Sequence, residues 1–137
     1  MLSIKPIGSS ETQVGYYANL GKEDYYVSGG EPPGSWWGGG AGRFGLGEIV
    51  DRDSFARLLR GLEPDSETPL VQNVGNPKRR SAFDLTFTAP KSVSVIWGLA
   101  PLEIRRKIEA AFEASVLKTL EVVQDHCGVS RRGRQGE

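Results

Sequence analysis

One cysteine, one histidine and one methionine stand among the 137 residues of this chain, and each scarcity excludes something. A lone Cys127 cannot close an internal disulfide. One Cys and one His, adjacent as His126-Cys127, cannot build a four-ligand zinc cage or a Cys/His nucleophile of ordinary design. Both are expected to be helix-end residues. Long hydrophobic runs are missing too: the longest nearly apolar stretch, VSVIWGLA over residues 93–100, falls far short of the roughly 18 residues that a membrane span needs. The opening MLSIKPIGSS has no signal-peptide core. A cytoplasmic setting is expected on these grounds. The length suits one domain with one core and is too short for two.

Glycine is plentiful, at 18 residues against a usual share of about 7%, so irregular turns should be common. The formal net charge is zero, but the charge is unevenly spread: residues 1–70 hold 6 Lys/Arg and 10 Asp/Glu, whereas residues 71–137 hold 11 and 7. The positive excess gathers in two clusters, Lys78-Arg79-Arg80 and Arg131/Arg132/Arg134. Either is placed to contact phosphates, and either also serves as an ordinary solvated surface.

MLSIKPI suggests a first strand. A short helix then starts at Ser10, which forms a capping box with Gln13, and ends near Gly21. Its stripe Val14, Tyr17, Ala18, Gly21 has core spacing, and Tyr16 lies about 100° round from Tyr17, leaving Tyr16 the freer phenol. The stretch EPPGSWWGGGAGRFGLGEIVD should be a long irregular loop that packing of Trp36 or Trp37 holds still. Gly40-Ala41-Gly42-Arg43-Phe44-Gly45 formally matches a dinucleotide fingerprint, but the expected context of a buried strand before it and a helix after it is absent. A second helix, capped by Asp51 or Asp53, carries Phe55, Leu58, Leu59 and Leu62 on one face, with Gly61 and Pro64 near its end.

SAFDLTFTAP alternates strictly, predicting a half-buried strand with Phe83, Leu85 and Phe87 inward and Asp84, Thr86 and Thr88 on a polar face. Pro90 is placed as the first residue of the helix PKSVSVIWGL, where N–H groups around Lys91 and Ser92 form a potential anion site or are simply capped. A long amphipathic helix should run from Pro101 to about Asp125 on a stripe of Ile104, Ile108, Ala111, Phe112, Leu120 and Val123, with Arg105, Arg106 and Lys107 wet. Two strands leave a sheet wanting partners. The polar, glycine-rich GVSRRGRQGE resembles the approach to another strand, so a truncated domain is expected.

All four tyrosines stand in GYYANLGKEDYY, residues 15–26. A phenol can attack a phosphodiester and retain the 5′ phosphate as an ester, conserving the energy of the broken strand, and two phenols can serve two successive transfers. Its reference pKa of about 10 means that the attack needs a base or a metal nearby. Asp84, the charged residue of its strand's polar face, is the candidate. Tyrosines that are merely core and surface aromatics give the same composition.

The order YY, short gap, YY, a Trp/Gly loop ending in GLGEIVD, then DLTFTAPKSVS resembles the amino-terminal part of TrwC-type (MobF class) conjugative relaxases over most of residues 2–134. The eleven ordered positions of DLTFTAPKSVS, with paired tyrosines at the expected distance upstream, make the match specific. The resemblance implies an α+β fold: a palm with an antiparallel sheet flanked by helices and single-stranded DNA held across it. It implies a strand transferase that nicks and rejoins one strand at a plasmid transfer origin through a tyrosine ester, alongside conjugative accessory and coupling proteins in the bacterial cytoplasm. The family pattern makes the first tyrosine of each pair act, here Tyr16 and Tyr25, and matches Asp84 to the acid that orients a metal-ligating histidine or takes the tyrosine proton. Lys78, Arg79, Arg80, Lys91 and Ser92 are the candidate DNA contacts.

The family's three metal-binding histidines, two of them in a His-x-His pair after the long helix, have no counterpart here. The expectation is therefore that residues 1–137 form the amino-terminal part of a single relaxase domain, cut before the metal-binding strands. They would bind no metal themselves and be inactive alone, whereas the full-length relaxase would use Mg or Mn and commonly carry a helicase domain. The rival from another class is a noncatalytic single-strand-binding or partner-binding module that uses Trp and Tyr as stacking platforms.

Overall fold

The computed structural model describes residues 1–20 and 34–127. Along the chain run β1 (Leu2–Gly8), α1 (Glu11–Leu20), α2 (Gly39–Arg43), α3 (Arg52–Arg60), β2 (Arg80–Phe87), α4 (Lys91–Leu99) and α5 (Leu102–Cys127). β1 and β2 pair in a two-stranded sheet. Reciprocal backbone bonds between Met1 and Thr88 make it antiparallel. The α+β class expected from the sequence is the class observed. The chain divides into two compact units, Ile4–Leu85 and Met1–Ser3 with Thr86 onward.

In the first unit, α1 starts as the capping box predicts, with one change. Ser10 Oγ accepts from the Gln13 N–H at 3.4 Å, but Gln13 Oε1 accepts from the Gly8 N–H at 2.6 Å. Gln13 thus ties the helix start to the end of β1. Val14 and Ala18, one turn apart, are both buried, and α1 packs on α3. Gly21, the last member of the predicted stripe, lies outside the described residues.

α3 is specified at both ends. Asp51 Oδ1 accepts from the Ser54 N–H at 2.8 Å, which selects Asp51 over Asp53 as the cap. At the other end Gly61 takes φ 84°, the Gly61 N–H donates to Leu58 O and the Leu62 N–H to Arg57 O, the paired bonds of a Schellman ending. The terminal carbonyl of Leu59 receives the guanidinium of Arg79 instead, which also donates to Ser81 Oγ at 3.2 Å. Arg79 is only 8% exposed. A buried cation is tolerated here because it meets the negative end of a helix and satisfies a carbonyl that has no intrahelical partner.

The Trp/Gly segment is more ordered than its composition suggests. Ser35 and Ile49 form an antiparallel bridge, flanked by Trp36 N–H to Glu48 O at 3.0 Å and Val50 N–H to Gly34 O at 2.9 Å. The Trp36 ring meets Phe55 of α3 edge-on, centroids 6.0 Å apart. Gly40 and Gly42 lie inside the five-residue α2, so the GxGxxG pattern forms a short helix and not a strand-to-helix phosphate loop.

β2 keeps most of the expected pattern, with Thr86 and Thr88 exposed, and Phe83 is the exception on the apolar side. Phe83 is 56% exposed and Leu85 and Phe87 are half-buried, whereas Asp84 is turned toward α1 and bonded there. The alternation itself could not settle which face a helix would cover.

The second unit carries the α4–α5 hairpin. Pro90 has φ −56° and ψ 148°, so it caps α4, and the first helical residue is Lys91 rather than Pro90. The turn is pinned by Arg105, whose Nε donates to Ala100 O at 2.8 Å and Nη2 to Gly98 O at 3.0 Å. Its guanidinium lies 5.6 Å from the Trp97 ring centroid, and Trp97 Nε1 donates to Glu109 Oε1 at 2.8 Å. Arg105 is therefore a hairpin clamp, not part of a wet face. Of the predicted α5 stripe, Ile108, Leu120 and Val123 are half-buried, and Ile104, Ala111 and Phe112 are exposed.

Candidate active site

The site is built on α1 and on Asp84 of β2, both within the first unit. Burying Val14 and Ala18 orients α1. Tyr16, two residues from each, points about 200° away from both, and it is 61% exposed. Tyr17 stands beside Ala18 at the margin of the buried stripe and is half-buried. Its hydroxyl donates to Asp84 Oδ2 at 3.2 Å, and its ring meets Tyr16 edge-on, with centroids 5.2 Å apart and planes at 88°. Asp84 is thus joined to the tyrosine pair through Tyr17, and Tyr16 stands at one remove from the carboxylate.

The chemistry of the two phenols diverges accordingly. Burial raises the Tyr17 phenol above its ordinary value, and the hydrogen bond to the Asp84 carboxylate and that group's negative charge raise it further. Tyr17 therefore keeps its proton and acts as a donor. Tyr16, whose hydroxyl-bearing side chain reaches solvent, is the phenol of the pair that a polynucleotide can approach. Sequence reasoning placed Tyr17 in the core alone. Its membership of the site was signalled only by its position next to Tyr16, which forces the two rings into contact.

The remaining candidates are dispersed. Tyr25 lies outside the described residues. Lys78 and Arg80 are exposed at the entry to β2, but Arg79 is buried against α3, so the basic triplet offers two reachable cations and not three. Lys91 and Ser92 are exposed at the start of α4, where no side chain caps the helix. His126 lies in the last turn of α5, its Nδ1 2.9 Å from Val122 O, and is engaged with its own helix. Among the described residues no three His, Cys, Asp or Glu side chains cluster as a metal site, and no helix is long and apolar enough to cross a membrane.

An exposed phenol is thus braced against a second phenol that holds a strand carboxylate, and comparison with known proteins gives the class. A family model described as TrwC relaxase matches residues 10–137, and the chain belongs to that family. Two curated relatives are each named multifunctional conjugation protein TraI. The one from Escherichia coli is 43% identical over 98 residues, and the one from Escherichia coli strain K12 is 42% identical over 98 residues. Each alignment covers 70% of this chain and 5% of the relative, so the chain matches a small part of those proteins.

Proposed function

We propose that this chain supplies the nucleophile half of a DNA relaxase site, in which Tyr16 nicks and rejoins one strand of plasmid transfer-origin DNA during bacterial conjugation. The observation that carries the reading is the exposed Tyr16, set on a rigid helix against the Tyr17–Asp84 pair, in a chain of the relaxase family. Tyr16 Oη attacks the scissile phosphorus, a P–Oη bond forms and the bond from phosphorus to the 3′ oxygen breaks. The 5′ phosphate stays on tyrosine, the phenolic proton passes toward Asp84 or water, and the departing 3′ oxygen takes up a proton. Because one phosphodiester replaces another, the reverse attack by a 3′ hydroxyl rejoins the strand without an external energy source. Tyr25, first of the second pair, is the candidate for a second transfer.

Single-stranded DNA is the substrate class, with Lys78 and Arg80 at the entry to β2 as phosphate contacts and the uncapped start of α4 at Lys91 and Ser92 as a further one. Conjugative accessory and coupling proteins are the proposed partners, and the bacterial cytoplasm the proposed location. A divalent Mg or Mn is the proposed cofactor of the longer relaxase. The described residues do not fit it: Asp84 is a single carboxylate already accepting from Tyr17, and no second and third ligand stand near. No step is therefore assigned to a metal here.

The test is covalent trapping. Residues 1–137, mixed with a single-stranded origin oligonucleotide and Mg²⁺ or Mn²⁺, should give no adduct. A chain extended through a histidine-bearing segment should give one that chelator abolishes and Tyr16→Phe largely removes. Mass spectrometry placing the nucleotide on Tyr16 supports the reading. Placement on Tyr17, or efficient reaction by residues 1–137 in chelator, refutes it.

A further inference from the structure

Tyr17 touches both partners of the proposed reaction. Its ring packs edge-on against Tyr16, and its hydroxyl holds Asp84 Oδ2 at 3.2 Å. It has the anchorage that such a link requires, because it sits one residue before Ala18, which is buried under α3, on a helix whose first turn is fixed by Ser10, Gln13 and the Arg60–Glu11 ion pair. A donor held on a packed helix restricts the rotation of the Asp84 side chain.

We propose that Tyr17 is the positioning residue of the site: its hydroxyl fixes the rotation of the Asp84 carboxylate while its ring fixes the side chain of Tyr16. The acid and the nucleophile are then aligned before DNA arrives. The inference rests on the strand-transfer reading of Tyr16 given above. It assigns Tyr17 no contact with DNA and no covalent step, and it explains why a residue unfit to be a nucleophile stands directly beside one. Prior alignment of reacting groups is a large source of rate, and an ångström of misplacement can cost about a hundredfold. The loss of one of two braces on Asp84 and Tyr16 should cost less than that.

The experiment is a double-mutant cycle on an adduct-forming chain. Tyr17→Phe removes the hydroxyl and keeps the ring. It should lower the single-turnover rate at saturating oligonucleotide about tenfold, with oligonucleotide Kd within about twofold of wild type. Asp84→Asn should also slow the reaction, and Tyr17→Phe added to Asp84→Asn should slow it no further, because the hydroxyl then has no carboxylate to position. A purely structural Tyr17 would give additive losses, and additivity overturns the proposal. If the extended chain with Tyr16, Tyr17 and Asp84 intact forms no adduct, the strand-transfer reading falls and takes this one with it. Adduct formation that Tyr17→Phe leaves at the wild-type rate sinks this one alone.

Discussion

The two units of this chain carry similar apolar patterns and bury them very differently. Ile7, Val14, Ala18, Leu59 and Leu62, the buried apolar residues among those described, all belong to the Ile4–Leu85 unit, and so does the buried Arg79. The α4–α5 hairpin has no buried residue, although PKSVSVIWGL is among the most apolar stretches of the sequence and Leu99 is 83% exposed. A stripe is therefore a statement about what an element can bury, and the number of elements set around it decides what it does bury. In the first unit α1 packs on α3. In the second, α4 and α5 pack on each other, and polar clamps from Arg105 and Glu109 hold the turn between them.

The sharpest way to break that contrast is truncation. Leu59→Ala should destabilise the chain by about 3 kcal/mol in urea melts, as truncation of a leucine that is only 3% exposed. Leu99→Ala should cost less than about 0.5 kcal/mol, as a largely solvated side chain. Equal losses would mean that the hairpin has a core of its own.

The two buried or clamping arginines make a second pair. Arg79→Met should cost about 2 kcal/mol, because it leaves the Leu59 carbonyl buried without a donor. Arg105→Met should cost nearer 1 kcal/mol, its carbonyl partners at the hairpin turn being able to turn to water. Thermal melts giving the reverse order would show that the hairpin turn, and not the end of α3, is the more protected.

These comparisons show what was legible in the sequence. Caps and turn glycines are local, so the Ser10 cap, a cap at Asp51 or Asp53, and Gly61 near the helix end could be read from a few neighbouring residues, and the elements between them followed. The family was legible because DLTFTAPKSVS and the tyrosine pairs are ordered strings. Arg79 was not legible: in KRR its neighbours Lys78 and Arg80 look the same, and only the approach of the α3 carboxyl end selects the middle residue for burial. The Tyr17–Asp84 bond was hidden for a similar reason, since its partners are 67 residues apart and the covered face of β2 is set by packing. Asp84 lies on the side away from the one that alternation predicted to be covered.

Gly61 and Asp51 test the ends of α3 with smaller effects. Gly61→Ala should cost about 1 to 2 kcal/mol, since the position has φ 84° and the new Cβ would stand 2.6 Å from Val71 Cγ2. Asp51→Ala should cost about 1 kcal/mol by freeing the Ser54 N–H from its cap. A guanidinium titration in which Gly61→Asn recovers part of the alanine loss would locate the cost in the backbone angle, since Asn tolerates that region better than Ala.

The smallest effect separates the units by their surface ion pairs. Arg60 and Glu11 join α3 to α1 through two bonds, of 2.7 and 3.1 Å, between residues 49 apart, whereas Lys118 and Glu121 lie within one turn of α5 at 2.7 Å. The Arg60 guanidinium holds the Glu11 carboxyl below its ordinary value, first by hydrogen bonding and then by charge. A carboxyl lowered on folding adds stability that is present above its unfolded value of about 4.3 and is lost as pH falls through the lower folded value. The urea midpoint of wild type should therefore exceed that of Glu11→Gln at pH 6, and the difference should shrink toward zero near pH 3. High salt should reduce it at every pH, since the pair faces solvent. Glu121→Gln should leave the midpoint unchanged within error at pH 6, because breaking it frees no packed element from another. A pH-independent Glu11→Gln difference would assign the loss to helix α1 itself, and a Glu121→Gln loss as large as that of Glu11→Gln would remove the distinction between a pair that ties elements together and one that decorates a single helix.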